Sequence, residues 1–269
     1  MNALDHNYIL FTLDSCRWDS LTEALKLIPR HQFNFKRAYA QSTYTYPAHL
    51  SLYQGILPSV HEAIPYYNRF KKALFRIAHR SATAQSLVQF KAGTSSIVSG
   101  FNSSGYFTLC LGAVNWFEHP ALSNEFQKFH FTGCCLKKQL AILGNYLELC
   151  STPVFSVVNI GETHDPYEFG GTIPPSLNSR EIMRKFKDYG YLTKDHQKQI
   201  AACNYVITLL KEFVLTLQQL SRGTILIICG DHGECFGEDA LYGHGFYHKK
   251  IMEVPLSITQ HNTTILNND

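Results

Sequence analysis

Asp231 and His232 stand side by side directly after an apolar, strand-forming run, Thr224 to Cys229, that ends at Gly230. A carboxylate and an imidazole at the carboxyl end of a buried strand suit a divalent metal ion. A capped loop would carry the same pair. A second apolar run, Asn7 to Leu13, leads straight into Asp14. Nearly continuous apolar character is what a parallel strand covered on both faces requires. Asp14 then sits at the edge where α/β sheets place their ligands. If the two strands are neighbours, Asp14, Asp231 and His232 converge on one ion. The competing reading is that Asp14 caps the helix that follows it.

A second chemical centre is Ser42-Thr43-Tyr44-Thr45-Tyr46-Pro47, where Pro47 opens a short helix reaching Gln54. A hydroxyl at the positive end of a helix suits an anionic phosphoryl or sulfuryl group. A nearby metal ion would lower the pKa of the Thr45 hydroxyl and make it a nucleophile. An ordinary Ser/Thr-rich helix entry has the same appearance.

The elements that must position these groups alternate. Strands are expected at Tyr8–Leu13, Phe33–Ala40, Tyr106–Leu111, Val154–Ile160, Thr224–Cys229 and Val254–Ile258. Helices are expected at Pro47–Gln54, Ala82–Phe90, Leu136–Leu149 and Lys194–Leu220, the last with Ile200, Val206, Leu210, Phe213 and Leu217 on one stripe. Strands alternating with helices imply a three-layer α/β/α sandwich with a mainly parallel central sheet. The stretch from 64 to 104, basic at first and later rich in Ser and Gly, reads as an insertion or cover within a single domain spanning 1–269.

Composition bounds the partners. The chain is 45% hydrophobic and 17% charged, with net charge +3 and 13 histidines. No extended basic patch argues for nucleic acid. No signal-peptide pattern opens the chain and no apolar run reaches membrane-spanning length, so a cytoplasmic protein with no membrane segment is expected. The eight cysteines show no CxxC spacing and favour neither a zinc ribbon nor a disulfide framework.

Three groups of residues, taken in order, resemble the alkaline phosphatase/sulfatase superfamily. The first joins Asp14-Ser15-Cys16-Arg17 to Thr45-Tyr46-Pro47-Ala48-His49 and Pro58-Ser59-Val60-His61. The second is Thr163-His164-Asp165-Pro166-Tyr167. The third is Asp231-His232-Gly233-Glu234 with Gly243-His244-Gly245 and Glu253-Val254-Pro255-Leu256. The resemblance implies an alkaline-phosphatase-like fold with Asp14, Asp231 and His232 as metal ligands. Thr45 matches the nucleophile, which also touches the metal. His164 matches a histidine at the transferred group or leaving oxygen. His244 matches a group near the same place or a ligand of a second ion. Glu162, His164 and His244 would supply that second site, but the Thr163–Tyr167 pattern is closer to one-metal branches. Oxygen-rich ligation with one imidazole suits Mn²⁺, Mg²⁺ or Ca²⁺, and Zn²⁺ if a second site exists.

Threonine at position 45 departs from the formylglycine sulfatases. Its Cβ methyl prevents conversion to the aldehyde, and His49 stands where their arginine would be. The resemblance therefore implies a metal-dependent hydrolase or transferase acting on a small anionic ester: a phosphate ester, phosphodiester or phosphonate. A catalytically poor binding or scaffold protein, and a specialised biosynthetic metalloenzyme on a non-phosphate substrate, are the alternatives. Because the resemblance ends near Ile258, the family's usual carboxy-terminal subdomain is expected to be lacking, with a homo-oligomer as one way to complete the pocket. Arg17 is expected either to hold Asp14 or to form a surface ion pair. His49 is expected to pack, and Lys249 and Lys250 to be solvated.

Overall fold

A computed structural model describes residues 6–28, 31–55, 76–77, 89–90, 96–167 and 193–262. The central sheet has seven strands. In chain order these are β1 (His6–Leu13), β2 (Lys36–Tyr39), β5 (Phe107–Gly112), β6 (Lys128–Phe131), β7 (Val154–Ile160), β8 (Gly223–Gly230) and β11 (Glu253–His261). Two small ribbons complete the strands: β3 (Arg76–Ile77) with β4 (Gln89–Phe90), and β9 (Cys235–Phe236) with β10 (Tyr242–Gly243). The sheet order is β2-β11-β8-β1-β7-β5-β6. The pairs β1–β8, β1–β7, β5–β7 and β5–β6 are parallel. β11 runs against both β8 and β2.

Alternation along β1 shows why this sequence makes a three-layer structure. Successive side chains on a strand point to opposite faces. Ile9, Phe11 and Leu13 enter one core, with Leu21, Leu136, Leu143, Ile200, Val206 and Leu210 from the helices Trp18–Leu25, Leu136–Leu149 and Lys194–Leu217. Tyr8 and Leu10 face the other core, with Tyr46, Leu50, Val98 and Leu122 from the helices Thr45–Gln54, Ile97–Ser103 and Pro120–Ser123. The expected α/β/α sandwich with a mainly parallel sheet is the observed fold.

Five of the six expected strands lie close to their predicted places, and the Leu136–Leu149 helix has the predicted ends. The Phe33–Ala40 strand shrinks to the four residues of β2 at the sheet edge, while Phe33 turns into the core. β6 has no counterpart among the expected strands, because Lys-Phe-His-Phe is too short and too polar at a sheet edge to stand out. Gln89–Phe90 form the strand β4, not the end of a helix. The rest of the Ala82–Phe90 expectation, Pro58 to His61, and most of the 64–104 stretch fall outside the described residues.

The Lys194–Leu217 helix is long and apolar enough to cross a membrane by length and composition, which amends the reading that no run reaches that length. Its Ile200, Val206, Leu210, Val214 and Leu217 are buried against the sheet, the pattern of a core helix.

Parallel pairing fixes the site. Leu13 pairs with Gly230 across β1 and β8, and with Ile160 across β1 and β7. The residues that follow, Asp14, Asp231 and Gly161, leave the sheet together at its carboxyl edge. Gly230 is tight: a Cβ there would lie 2.9 Å from the Cys16 carbonyl oxygen and 2.9 Å from Val254 Cβ. Gly230→Ala is predicted to cost about 1–3 kcal/mol through overpacking and to shift the Asp231 turn. Thermal unfolding of the variant checks this, and an unchanged melting temperature would contradict it.

Candidate metal centre and active site

Among the described residues, Asp14, Asp231 and His232 form a buried group whose ligand atoms all lie within 4.8 Å of one another. Each is held by the turn that carries it. Ser15 adopts a left-handed conformation, φ 58°, and its N–H donates to Asp231 Oδ1 at 3.1 Å. The His232 N–H donates to the same oxygen at 2.8 Å. Asp231 Oδ2 is buried without a hydrogen-bond partner. His232 Nδ1 faces the Gly233 carbonyl at 2.9 Å. It must donate there, which leaves Nε2 with its lone pair free toward the carboxylates.

The electrostatics call for a cation. Burial, and then the neighbouring Asp231 carboxylate, push the Asp14 pKa up. Burial pushes Asp231 up to about 7. Burial, and then His244, pull His232 down to about 3, so the imidazole is neutral, as a metal ligand must be. Two buried carboxylates, one unpartnered oxygen and a neutral imidazole fit a divalent ion.

Thr45 opens the Thr45–Gln54 helix and is 2% exposed. Its Oγ1 lies 3.4 Å from both Asp14 oxygens and 3.3 Å from His232 Nε2. The nucleophile candidate and the three ligand candidates therefore share one place. His164, on the loop after β7, donates through Nδ1 to the Asp165 carbonyl, 2.7 Å away. Burial works against its charged form, but the Asp14 carboxylate leads the contacts that raise its pKa overall. The His244 ring lies 4.5 Å from the His232 ring and 5.5 Å from the His164 ring. Glu162 is placed differently. Its Oε1 accepts from the Leu136 N–H at 2.5 Å, at the start of the Leu136–Leu149 helix, and it is not part of the three-residue group.

Several supporting residues were not singled out from sequence. Asn159 donates to Asp14 Oδ2 at 3.1 Å and accepts from the Ala113 and Val114 N–H groups through Oδ1. Thr163 Oγ1 donates to the Asp14 carbonyl at 2.7 Å. Gln199, on the long helix, donates to the Ser15 and Thr163 carbonyls. Asn159 did leave a signal: it is a polar residue within the otherwise apolar end of β7, Val157-Val158-Asn159-Ile160.

Arg17 corrects both expectations. It is 1% exposed and pairs with Asp19 at 2.7 Å and Glu238 at 2.6 Å, not with Asp14. Its guanidinium also covers the Phe236 ring and donates to the Glu234 carbonyl. Arg17 thus braces the segment after His232. Lys250 joins it by pairing with Asp19 at 2.6 Å, so only Lys249 of the two lysines is strongly exposed. His49 packs as expected, between the Thr45 carbonyl and Thr12 Oγ1, each 2.9 Å away, with its edge on Phe117.

A family model described as Sulfatase matches residues 6–259. The chain belongs to the sulfatase family. No curated protein matches it. Among solved structures, the integral membrane lipooligosaccharide phosphoethanolamine transferase EptA of Neisseria meningitidis matches with TM-score 0.65 and 12% identity, over 97% of this chain and 48% of that one. The zinc complex of the periplasmic EptC domain from Escherichia coli matches at 0.59 and 14%, over 97% of this chain and 74% of that one. The lipoteichoic acid synthase LtaP of Listeria monocytogenes matches at 0.53 and 12%, over 98% and 67%. At these identities the likeness shows the fold. This sulfatase-family chain spans about half the length of EptA.

Asp231 must lose its proton to bind an ion, so affinity for Mn²⁺ should weaken as pH falls through about 7, with proton release on binding. Calorimetry in buffers of different ionisation enthalpy reads both; pH-independent affinity between about 6 and 8 would contradict the assignment. Asn159→Ala should weaken Mn²⁺ binding about 10–100-fold by freeing Asp14, and undiminished affinity would remove Asn159 from the account.

Proposed function

We propose that this sulfatase-family protein is a metal-dependent enzyme that transfers or hydrolyses a phosphoryl group, with Thr45 as nucleophile. The observation that carries the reading is the Thr45 hydroxyl, 3.4 Å from both Asp14 oxygens and 3.3 Å from His232 Nε2. A buried threonine at the mouth of a ligand group is poorly explained by packing alone. The substrate class is a phosphate ester, phosphodiester or phosphonate. The described activities of EptA, a phosphoethanolamine transferase, and LtaP, a lipoteichoic acid synthase, support phosphoryl transfer over sulfate hydrolysis. Threonine in place of a formylglycine precursor supports the same choice.

Asp14, Asp231 and His232 would hold the ion, with Thr45 beside it; Mn²⁺, Mg²⁺, Ca²⁺ and Zn²⁺ all accept this donor set. When bound, the ion supplies positive charge that favours the ionised Thr45 hydroxyl and offsets charge on the phosphoryl oxygens. The hydroxyl proton passes to solvent before attack. Thr45 Oγ1 then forms a bond to phosphorus in line with the departing ester oxygen, whose bond to phosphorus breaks. A protonated histidine, His164 or His244, gives its proton to that oxygen. The neutral ring then takes a proton from water or an acceptor alcohol, which attacks the phosphothreonine and restores Thr45. His164 favours a cationic role through its surrounding carboxylates.

The whole described chain acts in this reading as one catalytic domain. A cytoplasmic setting is part of the same proposal; the EptC domain, by contrast, is described as periplasmic.

Thr45→Ala is predicted to lower turnover of an aryl phosphodiester by about 10³-fold or more while retaining bound metal. Turnover and metal content, measured on the same preparation, check this. Full activity with metal bound would end the proposal, and turnover of p-nitrophenyl sulfate ahead of the phosphodiester would redirect it.

A further inference from the structure

Glu234 has no role in the scheme so far, yet it sits at the centre of the loops that carry both histidines. It is 6% exposed. One carboxylate oxygen, Oε1, lies 3.1 Å from His244 Nδ1. The other, Oε2, accepts a short hydrogen bond from the Tyr167 hydroxyl. Tyr167 is itself buried, with a left-handed backbone, φ 63°, three residues beyond His164. The Tyr167 N–H donates to the His164 carbonyl at 2.8 Å, which closes that loop. The Glu234 carbonyl is held in turn by buried Arg17. Glu234 therefore ties the His164 loop, the His244 loop and the segment after His232 to one carboxylate.

We infer that Glu234 is a positioning residue that makes His244 the donor to the leaving oxygen. The inference rests on the phosphoryl-transfer reading above. An ionised carboxylate only accepts hydrogen bonds. Facing Glu234, His244 Nδ1 must carry hydrogen, so the ring is fixed in one tautomer and Nε2 is left for the substrate. Carboxylate–imidazole pairs in hydrolases fix ring orientation and tautomer in this way. His164 lacks such a partner: its Nδ1 meets the backbone carbonyl of Asp165. The two histidines are thus divided by what stands behind them. His244 is oriented by a carboxylate for proton transfer, and His164 is left to contact the phosphoryl oxygens. In the step itself the ring is the imidazolium: Nδ1–H stays on Glu234, the Nε2–H bond breaks, and its proton joins the ester oxygen as the phosphorus–oxygen bond breaks, which leaves the neutral Nδ1–H tautomer.

A donor to the leaving oxygen matters most when the leaving group is poor. The test compares the metal-loaded wild type with Glu234→Ala and Glu234→Gln on two esters that differ only in leaving group, p-nitrophenyl phenyl phosphate and diphenyl phosphate. Glu234→Ala should lose about 10²-fold or more on the diphenyl ester and clearly less on the p-nitrophenyl ester. Glu234→Gln keeps an acceptor for His244 Nδ1 and a donor toward Tyr167, and should recover most of the loss on the poor leaving group. Melting temperature and metal content of each variant set the folded, loaded fraction. Equal losses on both esters, or a Gln variant as impaired as the Ala variant, would overturn the inference while leaving phosphoryl transfer intact. A wild type that turns over neither ester would bring down the reading and the inference together.

Discussion

Two carboxylates that would repel each other hold the key position in this molecule. Strands β1 and β8 are parallel neighbours, paired from His6 with Gly223 to Leu13 with Gly230. The next residue on each is an aspartate, and both are almost fully buried. Burial raises the pKa of both groups, and the like charge of Asp231 adds to the rise at Asp14. The fold partly compensates. Ser15 N–H and His232 N–H reach Asp231, and Asn159 reaches Asp14. One oxygen of Asp231 remains without a partner. A divalent cation resolves all of this at once, and a neutral imidazole and a threonine hydroxyl already stand beside it.

Most of the surrounding structure can be understood as holding that arrangement still. Gln199 ties the turns after β1 and β7 to the long core helix. Arg17 is buried under the segment after His232, where bidentate pairing with Asp19 and a third contact to Glu238 offset the cost of removing its charge from water. Although burial opposes it, Arg17 holds the Asp19 carboxyl well below its usual range. Substituting Asp19 would leave a buried guanidinium short of partners, so this cluster couples stability to the geometry of the site. Site and fold are not separable here, because the same turns end the central strands and carry the ligands.

How much of this was legible in the sequence depended on the range of the signal. Asp14, Asp231 and His232 were visible because each follows a strongly patterned strand, and strand adjacency brings them together; Thr45 was visible through its place before Pro47 and the family resemblance. β7 and the Leu136–Leu149 helix were visible because burial repeats along them. β6 was not, since a four-residue edge strand with alternate polar positions carries almost no pattern. The role of Arg17 was also hidden: its partner Glu238 is remote in sequence, and nothing local distinguishes a buried arginine from an exposed one. Glu234 stands in the Asp231-His232-Gly233-Glu234 motif with no local sign of a task. Only in three dimensions do the loop bearing Tyr167 and the one bearing His244 meet on it.

The central claim is that the Thr45 oxygen becomes bonded to phosphorus during turnover. Rapid acid quench of the metal-loaded protein with a phosphodiester, followed by peptide mass spectrometry, tests it directly. A phosphoryl-containing adduct is expected on the peptide bearing Thr45, localised to that residue and absent without metal. Turnover with no adduct on Thr45 at any quench time, or an adduct localised to another side chain, would contradict it.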